Sequence, residues 1–356
     1  MHFSYKGFAA VAALSFTISL ASACTPTGFV RDNINLTAAL INPNGNVVGD
    51  VDGTGCNIVI YYGPGANGQV NGASLHGANY YGLVNNGGNV QVQNSTVYDI
   101  GETPLNGDQH GVGIYFAFAS NAQGNIQGNT IWNYQKGGIV VNGPLAKSNI
   151  QNNTVIGQGP VNYIAQNGIQ MGYGAQGNIQ SNLVVGNSYT GAGQTSSGGI
   201  ILVGGDCYGG PTVNGSNMNQ NTAVGNDIGI WLSNLNAACG PVTTQTNDQV
   251  QNNTIRNNGL NNTTGDGPGQ GYQAGITDQG DGDQITNNSI CGTGYNPASS
   301  TPAIAVFSID VTATNNAKVQ NNTTCSVATP QTLFRSRPGS AVSAAPTTSI
   351  QAQPVQ

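Results

Sequence analysis

The sequence predicts an all-β solenoid, and three observations predict it. A seven-residue phrase recurs in altered copies: N-I-Q-G-N-T-I from Asn125, N-I-Q-N-N-T-V from Asn149, N-I-Q-S-N-L-V from Asn178 and N-M-N-Q-N-T-A from Asn217. Further copies end at Ile255, Ile290 and Thr324, with looser forms around Val70 and Val92. A short apolar segment follows each copy, most of them carrying Gly-Ile, and the density of Gly and Asn excludes long helices. Repeats of this length mean stacked units, each burying its neighbour's apolar face.

The segments follow in order. Met1 to Gly7 carries Lys6, an apolar run extends from Phe8 to about Leu20, and Ala21-Ser22-Ala23 precedes Cys24. This is the pattern of a secretory signal, residues 1–23, and predicts a secreted chain. Cys24 directly after the cut raises a lipid anchor as the lesser alternative. The region from Cys24 to Asn44 is expected to cap the first coil. Within each repeat the apolar residues flank an Asn, so two short strands are expected to meet at a corner occupied by Asn129, Asn153, Asn182, Asn221, Asn253, Asn288 and Asn322. Asn tolerates the left-handed conformation of a corner, and stacked amides can bond one another along the axis. The Gly-Ile segment supplies a third strand. Three strands per turn, each parallel to its counterpart in the next, make a single-stranded right-handed parallel β-helix of about nine coils over residues 24–325. Residues 326–356 read as a Pro/Ser/Ala/Gln-rich tail, with Phe334 placed to fold over the last coil.

Six cysteines in a secreted chain suggest three disulfides. Cys291 and Cys325 follow equivalent repeat positions, so their Cα atoms are expected at the strand spacing. Cys207 and Cys239 fall in successive loops, and Cys24 and Cys56 sit together at the N-terminal end. These three pairs are the expected bridges.

From Asn46 to Cys325 the repeat resembles the right-handed parallel β-helix superfamily, which includes pectate lyases, polygalacturonases, alginate lyases and epimerases, and phage tailspikes. The resemblance implies a polysaccharide groove along one face, walled by inserted loops. Inserts do precede the Gly-Ile strands, at Tyr98 to Val112, Ile156 to Gln166, Gly186 to Ser197 and Asn257 to Gln273. Q-H-G-V-G-I, from Gln109, is similar to the Gly-His-Gly element of polygalacturonases. It departs from that family because no Asp-Asp pair precedes it and no Arg-Ile-Lys follows.

Charged residues are only 6% of the chain and the net charge is −6, so nucleic acid is not an expected partner. No segment after the signal is long and apolar enough to span a bilayer as a helix, and a monomer is expected. With Ile114, Ile139, Ile169, Ile200, Ile230, Ile276 and Ile304 inward, the outward row reads Tyr115, Val140, Gln170, Ile201, Trp231, Thr277 and Ala305. Tyr115 and Trp231 are candidates to stack on sugar rings, with Gln170 and Tyr134 as further substrate contacts. Chemistry concentrates in Asp99 to Tyr115. A β-elimination lyase needs a base and a carboxylate neutraliser, which His110, Tyr115 and Lys136 offer. A glycoside hydrolase needs paired carboxylates, for which Asp99, Glu102 and Asp108 are available. If the protein is an enzyme, the lyase is the preferred expectation. Asp278, Asp281 and Asp283 alternate as hard oxygen ligands suited to Ca²⁺. The competing class is a non-catalytic surface, matrix or glycan-binding protein.

Overall fold

The computed structural model describes residues 23–118, 120–193, 195–263, 271–312, 316–325 and 334–337. The expected signal and most of the expected tail lie outside the described residues.

The chain is all-β with long parallel sheets, consistent with a β-helix. One coil shows how the sequence builds it. Gln123–Gln127 leads to the corner, Thr130–Tyr134 leaves it, and Gly137–Asn142 carries the Gly-Ile pair. Each pairs in parallel with its counterpart one repeat on, Ile126 with Ile150, Ile131 with Val155 and Ile139 with Ile169. The Gly-Ile strands form a 12-stranded sheet and the two corner limbs an 18-stranded sheet. Inward Ile, Val, Leu and Met side chains fill one continuous core. At the N-terminal end Thr25–Arg31 pairs antiparallel with Ile34–Ile41, so the first sheet begins with a hairpin. At the other end the backbone of Phe334–Arg337 adds a parallel strand beside Ile304–Thr312.

The Asn column forms as expected. Asn153 Nδ2 donates to Asn182 Oδ1 at 3.0 Å, and the backbone N–H of Asn153 reaches the same oxygen at 2.9 Å. The second amide hydrogen donates to the Ile126 carbonyl. The same three bonds recur at Asn129, Asn182, Asn221, Asn253 and Asn288. One expectation is corrected: the left-handed residue is the one before the ladder Asn. Asn152, Ser181, Gln220 and Asn252 hold φ between 54° and 56°, while the ladder Asn is free to serve as a buried hydrogen-bond relay. The corner therefore divides its two demands between adjacent residues.

The Gly of each Gly-Ile pair is required by contact rather than by dihedral. A Cβ on Gly168 would lie 2.3 Å from Val184 Cγ1 and 2.6 Å from the Gly199 carbonyl oxygen. Gly82, Gly113, Gly138, Gly199, Gly229 and Gly275 meet the same obstruction from the next coil. Both members of the pair thus face the core, and the chain passes close enough for the sheet to stack. In the last such strand the register pairs Ile276 with Ile309 and Thr277 with Asp310. Ile304 and Ala305 are therefore not in the inward and outward rows, because this strand starts several residues early, opposite Gly271.

All three expected disulfides are present: Cys24–Cys56, Cys207–Cys239 and Cys291–Cys325, with Cα separations of 5.3, 5.0 and 4.7 Å. They are compatible with an extracellular protein. No helix among the described residues is long and apolar enough to cross a membrane.

Candidate functional site

For the outward row of the Gly-Ile sheet the sequence leaves two readings, a groove open to a sugar chain or an apolar face that the long loops cover, and Val140 and Ile201 favour cover. The row is sealed, as the second reading has it. Tyr115 is 2% exposed and Trp231 1%, and Val140, Gln170, Ile201 and Thr277 are also buried. A second apolar layer covers them. Tyr115 stacks on Tyr81 with centroids 5.1 Å apart, and Phe29 from the N-terminal hairpin packs on Tyr81 as well. Further along, Trp231 clusters with Tyr173, Ile201, Tyr208 and Tyr272, and its indole N–H donates to Gln279 Oε1 at 3.0 Å. Loops on both flanks supply this cover. The disulfide Cys207–Cys239 ties two of them together.

The expected substrate contacts are corrected accordingly. Tyr115 and Trp231 have no free ring face to offer a sugar. Gln170 is occupied with Asn142, to which its amide donates at 3.0 Å. Tyr134 points inward, into the core, where its hydroxyl donates to Asn187 Oδ1 at 2.6 Å and burial pushes its pKa up.

The expected lyase set does not converge. Lys136 is buried with Nζ donating to the Ala165 carbonyl at 2.8 Å, and loss of hydration lowers its pKa to about 8. Its ammonium is thus engaged by the backbone of the neighbouring insert. Asp99 accepts from Asn133 at the outer edge, and Asp108 is tied to Asn106 in a local turn. Of the candidates, His110 and Glu102 remain together, with His110 Nε2 2.9 Å from Glu102 Oε1.

Residues not singled out from the sequence complete this cluster. His110 Nδ1 lies 3.8 Å from Asp32 Oδ2, so a carboxylate flanks each ring nitrogen. The ring of Tyr80 covers the imidazole at 3.8 Å, nearly parallel, and Asn79 Nδ2 donates to Glu102 at 3.0 Å. Burial, then the charges of Asp32 and Glu102, pushes the Tyr80 hydroxyl up to about 12. Arg31 pairs with Asp32 at 3.4 Å. Asp32 was unreadable as a partner because it lies in the capping hairpin, whose path the repeat does not determine.

Three buried glutamines form another group with a sequence signal. Gln135, Gln166 and Gln273 each stand just before a Gly-Ile pair, in the pattern Gln-x-Gly-Ile or with one further Gly. Gln135 accepts from the backbone of Glu102 and Asn106 and donates to the carbonyl of Asp108, pinning that insert. Gln273 does the same for Asn261 and Asn262. Gln166 accepts from Gln158 N–H.

Of the expected Ca²⁺ ligands, Asp278 and Asp283 meet through a side-chain hydrogen bond, and the protein's own groups occupy all three. Asp281 accepts from the backbone and side chain of Asn316, both at 2.9 Å. Asp278 accepts from the Gly280 N–H, and Asp283 from Thr246 and the Asp248 N–H. Among the described residues no three of His, Cys, Asp and Glu are grouped to hold a metal. Burial raises the pKa of Asp278 and Asp248 well above the carboxylate range, and Asp283 adds its charge to both.

Fold and site together define the class, an all-β protein of stacked parallel strands whose 12-stranded sheet has its outer face closed by the protein's own loops. No protein-family profile, curated protein or solved structure matches the chain.

Proposed function

We propose that this is a secreted member of the right-handed parallel β-helix superfamily, a single chain of about nine coils, that binds an extracellular polysaccharide. The observation that carries the reading is the outer surface itself. Uncharged hydrogen-bonding side chains stand in register rows along it. Asn178 donates to Asn149, Asn149 to Asn125 and Asn125 to Gln91, one rung per coil. A neutral donor and acceptor array repeating at the strand spacing of ~4.8 Å complements a polymer of neutral hydroxyl-bearing units. Retention on a panel of insoluble and soluble polysaccharides tests it. Retention on at least one is the expected result, and passage through all of them would favour a purely structural matrix protein.

Cleavage is a second reading, favoured by one observation: Asp32 and Glu102, both partly exposed, flank the two nitrogens of His110. Paired carboxylates of this kind suit glycoside hydrolysis better than uronate β-elimination, for which Lys136 is turned inward. Reducing-sugar release that disappears in Glu102→Gln would establish it.

A further inference from the structure

Resting on the polysaccharide reading, we propose that the binding face is the outer surface of the strands leaving the Asn corner, and that its ligand is an uncharged, extended polysaccharide chain lying along the solenoid axis. In this limb the first and third residues point out and the second points into the core. The register aligns Thr130, Thr154, Leu183 and Thr222 in one outward row, and Trp132, Ile156, Val185 and Val224 in the next.

Three large apolar side chains that the molecule leaves in solvent adjoin one another here: Trp132 at 38% exposure, Ile156 at 39% and Leu183 at 38%. Exposed apolar residues scattered singly need no explanation, but a contiguous strip does. Tyr98 fixes one end, its ring stacked on Trp132 with centroids 4.9 Å apart and planes 1° from parallel. The rings therefore present their edges as a rigid ridge, level with the aliphatic side chains beyond.

Charge and size select the occupant. Between Tyr98 and Val224 neither row carries a charge; Arg256 stands at one end, and His76 with Asp50 at the other. A net charge of −6 also opposes polyuronates. Five coils at ~4.8 Å by one short strand cover roughly 200 Å², far below the ~800 Å² per partner of a stable protein interface. A second copy of the chain is thus a poor occupant. A glycan chain is narrow, advances about one sugar per coil, and covers hydroxyl and C–H surfaces in alternation, as the Thr and apolar rows do.

The test is retention of the full chain on microcrystalline cellulose and insoluble chitin, with polygalacturonate as the charged comparison. Wild type should be held by an uncharged polymer and not by polygalacturonate. Trp132→Ala, Ile156→Ser and Leu183→Ser should each weaken retention at least tenfold, with Leu145→Ser, exposed elsewhere, as the control. The two aliphatic variants do not disturb the Tyr98 stack, so loss of binding there cannot be assigned to misfolding of it. Retention of wild type with all three face variants unimpaired would overturn this face while sparing the broader reading. Binding only to polygalacturonate would overturn the uncharged class, and binding to no glycan would remove both.

Discussion

Two adjacent glycines show how finely single positions are determined. A Cβ on Gly198 would meet its nearest neighbour at 3.4 Å, an ordinary contact, whereas on Gly199 it would lie 2.7 Å from the Gly229 carbonyl oxygen and 2.8 Å from Asn226 Nδ2. Gly198→Ala should change stability by less than about 0.5 kcal/mol. Gly199→Ala should cost about 1–3 kcal/mol, because backbone cannot yield as a side chain can. Denaturant unfolding of the two variants checks both values. Buried carboxylates make a second residue-scale prediction. Desolvation raises Asp227 from 3.8 to about 6 despite four donors around it. The folded state therefore holds this proton more tightly than the unfolded chain. Its stabilising contribution is full below pH 4 and is lost as pH rises to about 6, a loss on the order of 3 kcal/mol. Asp248, Asp278 and Asp283 are raised in the same direction, burial being the first cause in each. The protein should accordingly melt at a higher temperature at pH 4.5 than at pH 7.5.

At the scale of the element, the corner ladder and the aspartates are variations on one pattern. Asp248 accepts from Ser216 N–H, and its own N–H donates to Asp283 Oδ1, as each ladder Asn does with the next. What it lacks is the amide hydrogen that an Asn would place between the two side chains. Asp248→Asn supplies that hydrogen and is expected to raise the melting temperature at pH 7.5 while flattening its pH dependence. An unchanged pH profile would contradict the role given to this carboxyl. Conversely, Asn182→Ala would orphan the Asn153 amide groups and the Ile150 carbonyl at once, each costing roughly 1–3 kcal/mol. These elements were legible in the sequence because a buried, repeated Asn has few other uses. The left-handed residue beside it was not, since Asn, Ser, Gln and Gly all occupy that position. The disulfide pairs were legible for the same reason as the ladder: register converts distance along the chain into one step along the axis.

Over the whole molecule, sequence periodicity determined which side of a strand faces the core but not what covers the other side. The row of Tyr115, Gln170 and Trp231 was rightly read as outward, yet the loops, the hairpin bearing Phe29 and the insert bearing Tyr208 close over it. Their paths depend on residues outside the repeat, such as Phe29, Asp32 and Tyr208, which is why the expected site dispersed while the fold held. The result is a solenoid with one broad face closed and another, bearing Trp132, displayed. Only two tryptophans are present, one on each. Acrylamide quenching of the single-tryptophan variants Trp132→Phe and Trp231→Phe separates the faces most directly. Fluorescence from Trp132 should be red-shifted and readily quenched, and that from Trp231 blue-shifted and protected; a Trp231 signal quenched as freely as Trp132 would mean the Gly-Ile face is open and the account wrong.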